Sequence, residues 1–258
     1  MPRFAANLSM MFTEHPFLDR FEAAAAAGFD AVEFLFPYDY PANEIAGRRC
    51  AAGVEQALFN LPPGDWAKGE RGLAALPERK AEFRQSVRTA LAYAAVICAP
   101  RLHMMAGLAD PGSERHRAAY RDSLAFAADA AADEGVTVLI EPINGRDMPG
   151  YFLDDFDSAA ELITDLGRDN IRLQFDIYHR QVLRGDVLRG LEALLPLIGH
   201  VQIASVPHRQ EPGSGELDDF RILAALDALG YRGFVGCEYR PRAATLEGLG
   251  WMGRVPRA

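Results

Sequence analysis

The amino-acid sequence predicts an α/β fold, a single closed (β/α)8 TIM barrel domain spanning residues 1–258, from three observations. First, glycine recurs where a helical stretch gives way to a short β-rich run. Gly28 precedes AVEFLF, Gly53 VEQALFNL, Gly135 VTVLIEPI, Gly167 IRLQFDIY, Gly199 HVQIAS and Gly230 GFVGCEY. Second, from Gly135 onward these joints lie 32, 32 and 31 residues apart, the size of one strand–helix unit. Third, eight such units fit in 258 residues, the number that closes a parallel sheet on itself.

In chain order, RFAANLS is the first strand and FLDRFEAAAAAG the first helix. The glycine at each joint suits the left-handed position that closes a helix, since it has no Cβ to clash there. Two units fill the gap between Gly53 and Gly135. PERKAEFRQSVRTALAYAAVICA reads as a helix with Pro77 in its opening turn, and Pro100 ends it before the strand RLHMMAG. SERHRAAYRDSLAFAADAAADEG is the next helix, with Ser113 as its N-cap. The last helix, near TLEGLGWMG, is short. An open doubly wound sheet is the alternative. It lacks support, because no GxGxxG follows the first strand and no GxxxxGK[ST] occurs, which also argues against a nucleotide cofactor.

Charge and composition narrow the function. Lys plus Arg number 27 against 36 Asp plus Glu, a net charge of −9, which argues against a nucleic-acid surface built from clustered cations. No apolar run reaches membrane-spanning length. MPRFAANLSMMF lacks the long apolar stretch of a signal peptide, and Cys50, Cys98 and Cys237 are odd in number and widely spaced. Reduced thiols and a cytoplasmic location are therefore expected.

In such a barrel the reactive groups gather at the C-terminal ends of the strands. Four consecutive strands each offer one acid or amide in an apolar run: Glu141 in VTVLIEPIN, Asp176 in IRLQFDIYH, Gln202 in HVQIAS and Glu238 in GFVGCEYR. They are 35, 26 and 36 residues apart, about one unit each, so neighbouring strands bring all four to one mouth. Singly, each reads equally well as a buried polar residue satisfied by a neighbour. Together, three buried acids need a compensating charge. An all-oxygen set favours a hard divalent cation, Mg²⁺ or Mn²⁺, over zinc.

Around that set, His179 lies three residues past Asp176 and is placed to meet a substrate oxygen. Arg209 and Glu211 lie in the polar loop SVPHRQEPGSGE, where a guanidinium can clamp a substrate carboxylate bidentately. The Gly-rich loop NLPPGDWAKGERG, residues 60–72, carries Trp66 and has the length of a lid or of a subunit contact. Cys237 is expected to pack away from the mouth, and His15, His116 and His200 carry no functional expectation.

These segments, with RFAANLSMMF, VEFLFPYDY, RDMPGYF and EPGSGE, resemble the hydroxypyruvate isomerase family of the xylose isomerase-like TIM barrels, in order and over nearly the whole chain. The resemblance implies interconversion of hydroxypyruvate and 2-hydroxy-3-oxopropanoate, with Glu141 and Glu238 as the acid–base pair. Asp176 and Gln202 fall at the remaining metal-binding positions, and His179 and Arg209 where related sugar epimerases bind substrate. Phe59 stands where some relatives carry His, and Ser205–Val206 where others carry Asp-Asn. Both departures are expected near the mouth, where they bear on the choice of acid; a four-carbon 2-oxo acid such as 2-oxotetronate is the nearest rival substrate. A ketose 3-epimerase, a multi-metal nuclease and a non-catalytic sugar-acid binder are the other readings. The nuclease fits least, for it wants a His-rich cluster and a basic groove. A small 2-oxo or hydroxy acid is thus the expected partner, and the mouth loops leave room for a homo-oligomer.

Overall fold

The computed structural model describes residues 2–255. Eight parallel strands form a closed barrel in sequence order. They are β1 (Arg3–Asn7), β2 (Ala31–Phe34), β3 (Glu55–Asn60), β4 (Arg101–His103), β5 (Thr137–Ile140), β6 (Ile171–Asp176), β7 (Ile198–Ile203) and β8 (Phe234–Cys237). The sheet shuts where β1 meets β8, with Phe4 opposite Val235 and Ala6 opposite Cys237. The helices are α1 (Arg20–Ala26), α2 (Ala42–Ala52), α3 (Lys80–Ile97), α4 (Glu114–Ala132), α5 (Phe156–Leu166), α6 (Ile177–Leu183), α7 (Val187–Leu194), α8 (Asp219–Ala228) and α9 (Thr245–Gly248). The unit after β6 thus carries two short helices where the sequence pattern predicts one.

Five of the six predicted glycine joints have positive φ: Gly28 89°, Gly53 70°, Gly135 66°, Gly167 58° and Gly230 81°. Gly199 is the exception and corrects the expectation, because it lies inside β7. A Cβ there would stand 2.5 Å from Cβ of Arg172, so a close approach to β6 explains this glycine. At the end of α3 the left-handed residue is Cys98, φ 53°, rather than a glycine. Pro77 opens a single 3₁₀ turn, Pro77–Arg79, ahead of α3. Ser113 does occupy the N-cap of α4, but its side chain makes no capping bond. Capping side chains are supplied by Asp155 on α5, Asp176 on α6 and Asp218 on α8, each accepting a backbone N–H from the first turn.

The main apolar core lies between strands and helices, with Phe21, Phe34, Tyr120, Phe156 and Phe175 almost fully buried in it. Inside the barrel, Ala5, Ala31, Ala57 and Phe234 form a separate small apolar cluster. Toward the strand C-termini the buried side chains turn polar: Asn7, Glu33, His103, Gln174, Asp176, His200 and Gln202 are all at most 2% exposed. Buried polar groups on that scale need partners, and their partners define the site.

Candidate active site

A cavity of about 1010 Å³ opens at the C-terminal ends of the strands, and Glu141, Glu238, His103, His179, Arg209 and Trp66 line it. Glu141 follows directly on β5 and Glu238 on β8, while Asp176 ends β6. Asp176 does double duty. Its Oδ1 caps α6, accepting from the backbone N–H of Tyr178 at 2.7 Å and of His179 at 3.3 Å. That cap turns His179 back toward the strand ends, where its Nε2 lies 3.6 Å from Asp176 Oδ2 and 4.0 Å from Glu141 Oε1.

Arg209 supplies the positive charge. Its Nη2 donates to Glu238 Oε2 at 2.5 Å and to Asp176 Oδ2 at 3.3 Å, and Nη1 lies 3.7 Å from Asp147 Oδ2. The residue holds a left-handed backbone, φ 53°, uncommon for a long side chain and typical of strained functional positions. Its carbonyl accepts from Arg240 N–H at 2.9 Å, which ties the loop after β7 to the end of β8.

Burial sets the electrostatics. It pushes Glu141 well above the usual carboxylate range, and the neighbouring Glu238 and Asp176 add to the shift. Asp176 is raised by burial against the pull of Arg209. Glu238 is pushed up to about 8 by burial, although Arg209 opposes the shift. Burial would lower the Arg209 guanidinium; Glu238, Asp176 and Glu141 overcome it and hold Arg209 above its ordinary value. His103 is driven down to about 3 by burial and by nearby His200, and burial pushes His179 well down. Both imidazoles are therefore neutral near pH 7.

The hydrogen bonds fix the tautomer of His179. Asn144 Oδ1 accepts from the backbone N–H of Arg146 and of Asp147, each at 3.0 Å, so its amide nitrogen faces His179 Nδ1 at 2.7 Å. The backbone N–H of Asn144 donates to the same Nδ1 at 3.2 Å. Nδ1 accepts twice, and the ring hydrogen sits on Nε2, aimed at Asp176 and Glu141.

Glu141, Asp176 and His179 bring one ligand-type atom each within 4.8 Å of one another. The His179 tautomer makes that side chain a donor in this arrangement, so the fit to a cation rests on oxygen. Glu141 Oε1 is buried without a hydrogen-bond partner, and three carboxylates surround one guanidinium. This donor set suits a hard divalent ion.

Asp176, Gln202 and Glu211 are not among the described residues that line the cavity, although Gln202 stands opposite Asp176 where β6 pairs with β7. Gln202 Nε2 donates to Glu33 Oε1 at 2.8 Å, and its Oε1 accepts from Gln174 Nε2 at 2.8 Å. Glu211 is buried and accepts from the Arg242 backbone N–H at 2.9 Å and from Nε at 3.1 Å. The two departures from the family pattern also lie off the wall. Phe59 is fully buried against Phe34 and Tyr38, and the Ser205 hydroxyl pairs with Ser214 at 2.9 Å. They do not line the cavity themselves, although their chain neighbours Asn60 and Pro207 do. Trp66 does line it, with the Arg71 guanidinium 3.8 Å over its ring. Cys237 is buried as expected, and all three cysteines are free.

Asn7, Glu33, His103, Asn144, Gln174 and His200 belong to this constellation without having been expected there. Five of the six sit on strands, and two lie two residues before an expected site residue: Gln174 before Asp176, His200 before Gln202. The two-residue period of a strand, which points both members of such a pair inward, is the signal that finds them.

The sequence model of the xylose isomerase-like TIM barrel family matches residues 21–255. The chain belongs to that family. Within it, the chain is 59% identical over 254 residues to a protein of Cupriavidus necator named 2-oxo-tetronate isomerase, covering 98% of each. It is 43% identical over 254 residues to the Escherichia coli hydroxypyruvate isomerase, again covering 98% of each. Among solved structures, a Brucella melitensis protein titled AP endonuclease, family 2, superposes with a TM-score of 0.96 at 47% identity over the full length of both chains. A 3-keto-D-glucoside 4-epimerase from E. coli superposes with a TM-score of 0.83 at 22% identity, covering 98% of this chain and 99% of that one, a likeness of fold. Both of these curated relatives, which match over nearly the whole chain, are named isomerases.

Proposed function

We propose that the protein is an isomerase of short hydroxy-2-oxo acids, moving the carbonyl by one carbon through an enediolate, with Glu141 and Glu238 as the proton-transferring pair. The observation that carries this reading is the pair itself: two buried carboxylates just past β5 and β8, both lining one cavity, with Arg209 reaching Glu238. One glutamate takes the proton from the hydroxyl-bearing carbon, and the other delivers a proton to the former carbonyl carbon. The hydroxyl proton passes to the former carbonyl oxygen, so atoms and charge balance. Burial raises Glu238 to about 8 against the pull of Arg209, and a bound cation would pull it back down, toward a proton acceptor.

Glu141, Asp176 and Glu238, with Gln202 as the remaining expected ligand, would hold Mg²⁺ or Mn²⁺. When bound, the ion supplies Lewis-acid stabilisation of the enediolate charge. His179 donates from Nε2 toward a substrate oxygen, and Arg209 pairs with the substrate carboxylate. His103, neutral and with its Nε2 3.5 Å from Glu141 Oε2 but without a hydrogen bond, offers a further contact from β4. Trp66 and Arg71 shield the cavity from the side of the 60–72 loop. Cytoplasmic location and a small-acid partner complete this reading; no helix among the described residues is long and apolar enough to cross a membrane.

Hydroxypyruvate is the smallest acid that fits this chemistry. One observation favours the four-carbon 2-oxo-tetronate as a second substrate: the 59% identical relative carries that name. The deciding experiment is proton NMR in D₂O with each acid, with Mg²⁺ or Mn²⁺ and again with EDTA. We expect new signals of the isomeric oxo acid with deuterium entering the carbon skeleton. Conversion of neither acid above a protein-free control refutes the assignment.

A further inference from the structure

We propose that Glu33 is the positioning residue for both proton-transferring glutamates, a buried carboxylate that aims Glu238 through Asn7 and Glu141 through Gln202 and Gln174. The inference rests on the acid–base roles given above to Glu141 and Glu238.

Glu33 lies on β2, opposite Asn7 of β1, and is fully buried. Its Oε2 faces His200 Nε2 at 2.7 Å, a ring that is itself fully buried. Its Oε1 takes two amide donors, Gln202 Nε2 at 2.8 Å and Asn7 Nδ2 at 3.1 Å. Each donor is the start of an arm. Asn7 Nδ2 also donates to Glu238 Oε1 at 3.3 Å. Gln202 Oε1 accepts from Gln174 Nε2, which also donates to Glu141 Oε2 at 2.9 Å. Amide orientation is set from outside on the first arm, because Asn7 Oδ1 accepts the Ser9 backbone N–H at 3.1 Å.

The polarity admits one anchor. Among the described residues, the acceptor that ends both arms below the cavity is Glu33, and its other oxygen is held by His200. The fold also makes room for it: a Cβ on Gly236 of β8 would come within 2.2 Å of Glu33 Oε2. A carboxylate kept in so crowded a place, touching no cavity wall, acts on the reaction through the groups it orients.

Without the anchor, Gln202 loses its acceptor and Asn7 keeps only its Ser9 and Glu238 contacts, so the donors to both glutamates are less firmly placed. Misplacement on the ångström scale costs on the order of 100-fold in rate. Steady-state kinetics on hydroxypyruvate or 2-oxo-tetronate, whichever turns over faster, reads this directly, with deuterium wash-in measured alongside. For Glu33→Leu we expect kcat to fall by about 100-fold with KM within about threefold. Glu33→Gln keeps an acceptor for Asn7 and Gln202, and should recover most of the rate. If Glu33→Leu does not fold, Asn7→Leu and Gln174→Leu each cut one arm and leave the Glu33–His200 pair in place. One of them should stop both exchange and conversion. The other should stop conversion while exchange of the substrate hydrogen survives, because each arm serves a different proton transfer. Folded Glu33→Leu with unchanged kcat, or arm variants that both behave as the parent, overturns the proposal. Glu238→Gln separates the two levels. An inactive Glu238→Gln beside an active Glu33→Leu removes the positioning role alone. A fully active Glu238→Gln, or a parent that exchanges neither acid, removes the acid–base reading and this inference with it.

Discussion

Asp219, the first residue of α8, should make the stability of the protein fall as pH rises through the weakly acidic range. Its carboxylate is fully buried; Oδ2 accepts the Gly213 backbone N–H at 2.6 Å, and Oδ1 has no partner. Burial raises its pKa from 3.8 to about 6, against the pull of the Gly213 bond and with the help of Asp218. A folded-state pKa above the unfolded one means that the folded protein binds the proton more tightly. The resulting stabilisation is complete below the unfolded value and is lost as pH rises through the folded value. A shift of about 2 units at about 1.4 kcal/mol per unit sets a ceiling of about 3 kcal/mol. Roughly 2 kcal/mol of it falls between about pH 4.5 and pH 8. Asp219→Asn keeps an acceptor for Gly213 and removes the titration. Urea unfolding of both proteins at a series of pH values checks this. The difference curve, variant minus parent, should rise by roughly 2 kcal/mol across that window, whatever its absolute offset from the unpartnered oxygen. A flat difference curve refutes the link between burial and the raised pKa.

Glu238→Gln should lose turnover with either acid while its circular dichroism stays that of the parent; near-normal activity removes Glu238 from the acid–base pair. Gly236→Ala should displace the Glu33 carboxylate, costing about 1–3 kcal/mol of stability together with activity; thermal melts and kinetics read the two losses. Trp66→Ala removes the face on which Arg71 stacks, an interaction of about 0.5–1 kcal/mol at an exposed site. It should raise KM by about 2- to 5-fold and spare kcat. Calorimetric titration of EDTA-treated protein with Mn²⁺ should show one site that Glu141→Gln weakens; equal affinity in that variant excludes Glu141 as a ligand.

The barrel and its strand order were legible in the sequence because β-rich runs and glycine joints repeat at a near-constant interval. Gly199 shows where this fails. A glycine demanded by strand packing against Arg172 is, in one dimension, indistinguishable from one that closes a helix. The acids at the strand ends were legible for the same reason, one polar residue interrupting each apolar run. Their supports were not. His200 and Gln174 are inward-facing partners of Gln202 and Asp176, and the meaning of such a pair appears only when the barrel closes and Glu33, from the far side of the sequence, meets His200 and Gln202. Asn144 is less legible still, since its effect on His179 depends on which way one amide is turned by a tight loop.

The barrel divides labour between two kinds of backbone. Glu33, Gln174, Gln202 and Asp176 ride on strands, with Glu141 and Glu238 one residue past theirs, whereas Trp66, Arg71 and Arg209 ride on connecting segments. The 60–72 segment is fastened as a unit of its own, by the Glu70–Arg79 ion pair at 2.8 Å and by Gly72, which bridges to Ala106. Modularity follows. On the proposed function, exchanging that segment for one of different length should retune the size of acid admitted and leave the proposed proton-transferring pair in place. The same barrel can therefore be re-addressed to new substrates by replacing its rim.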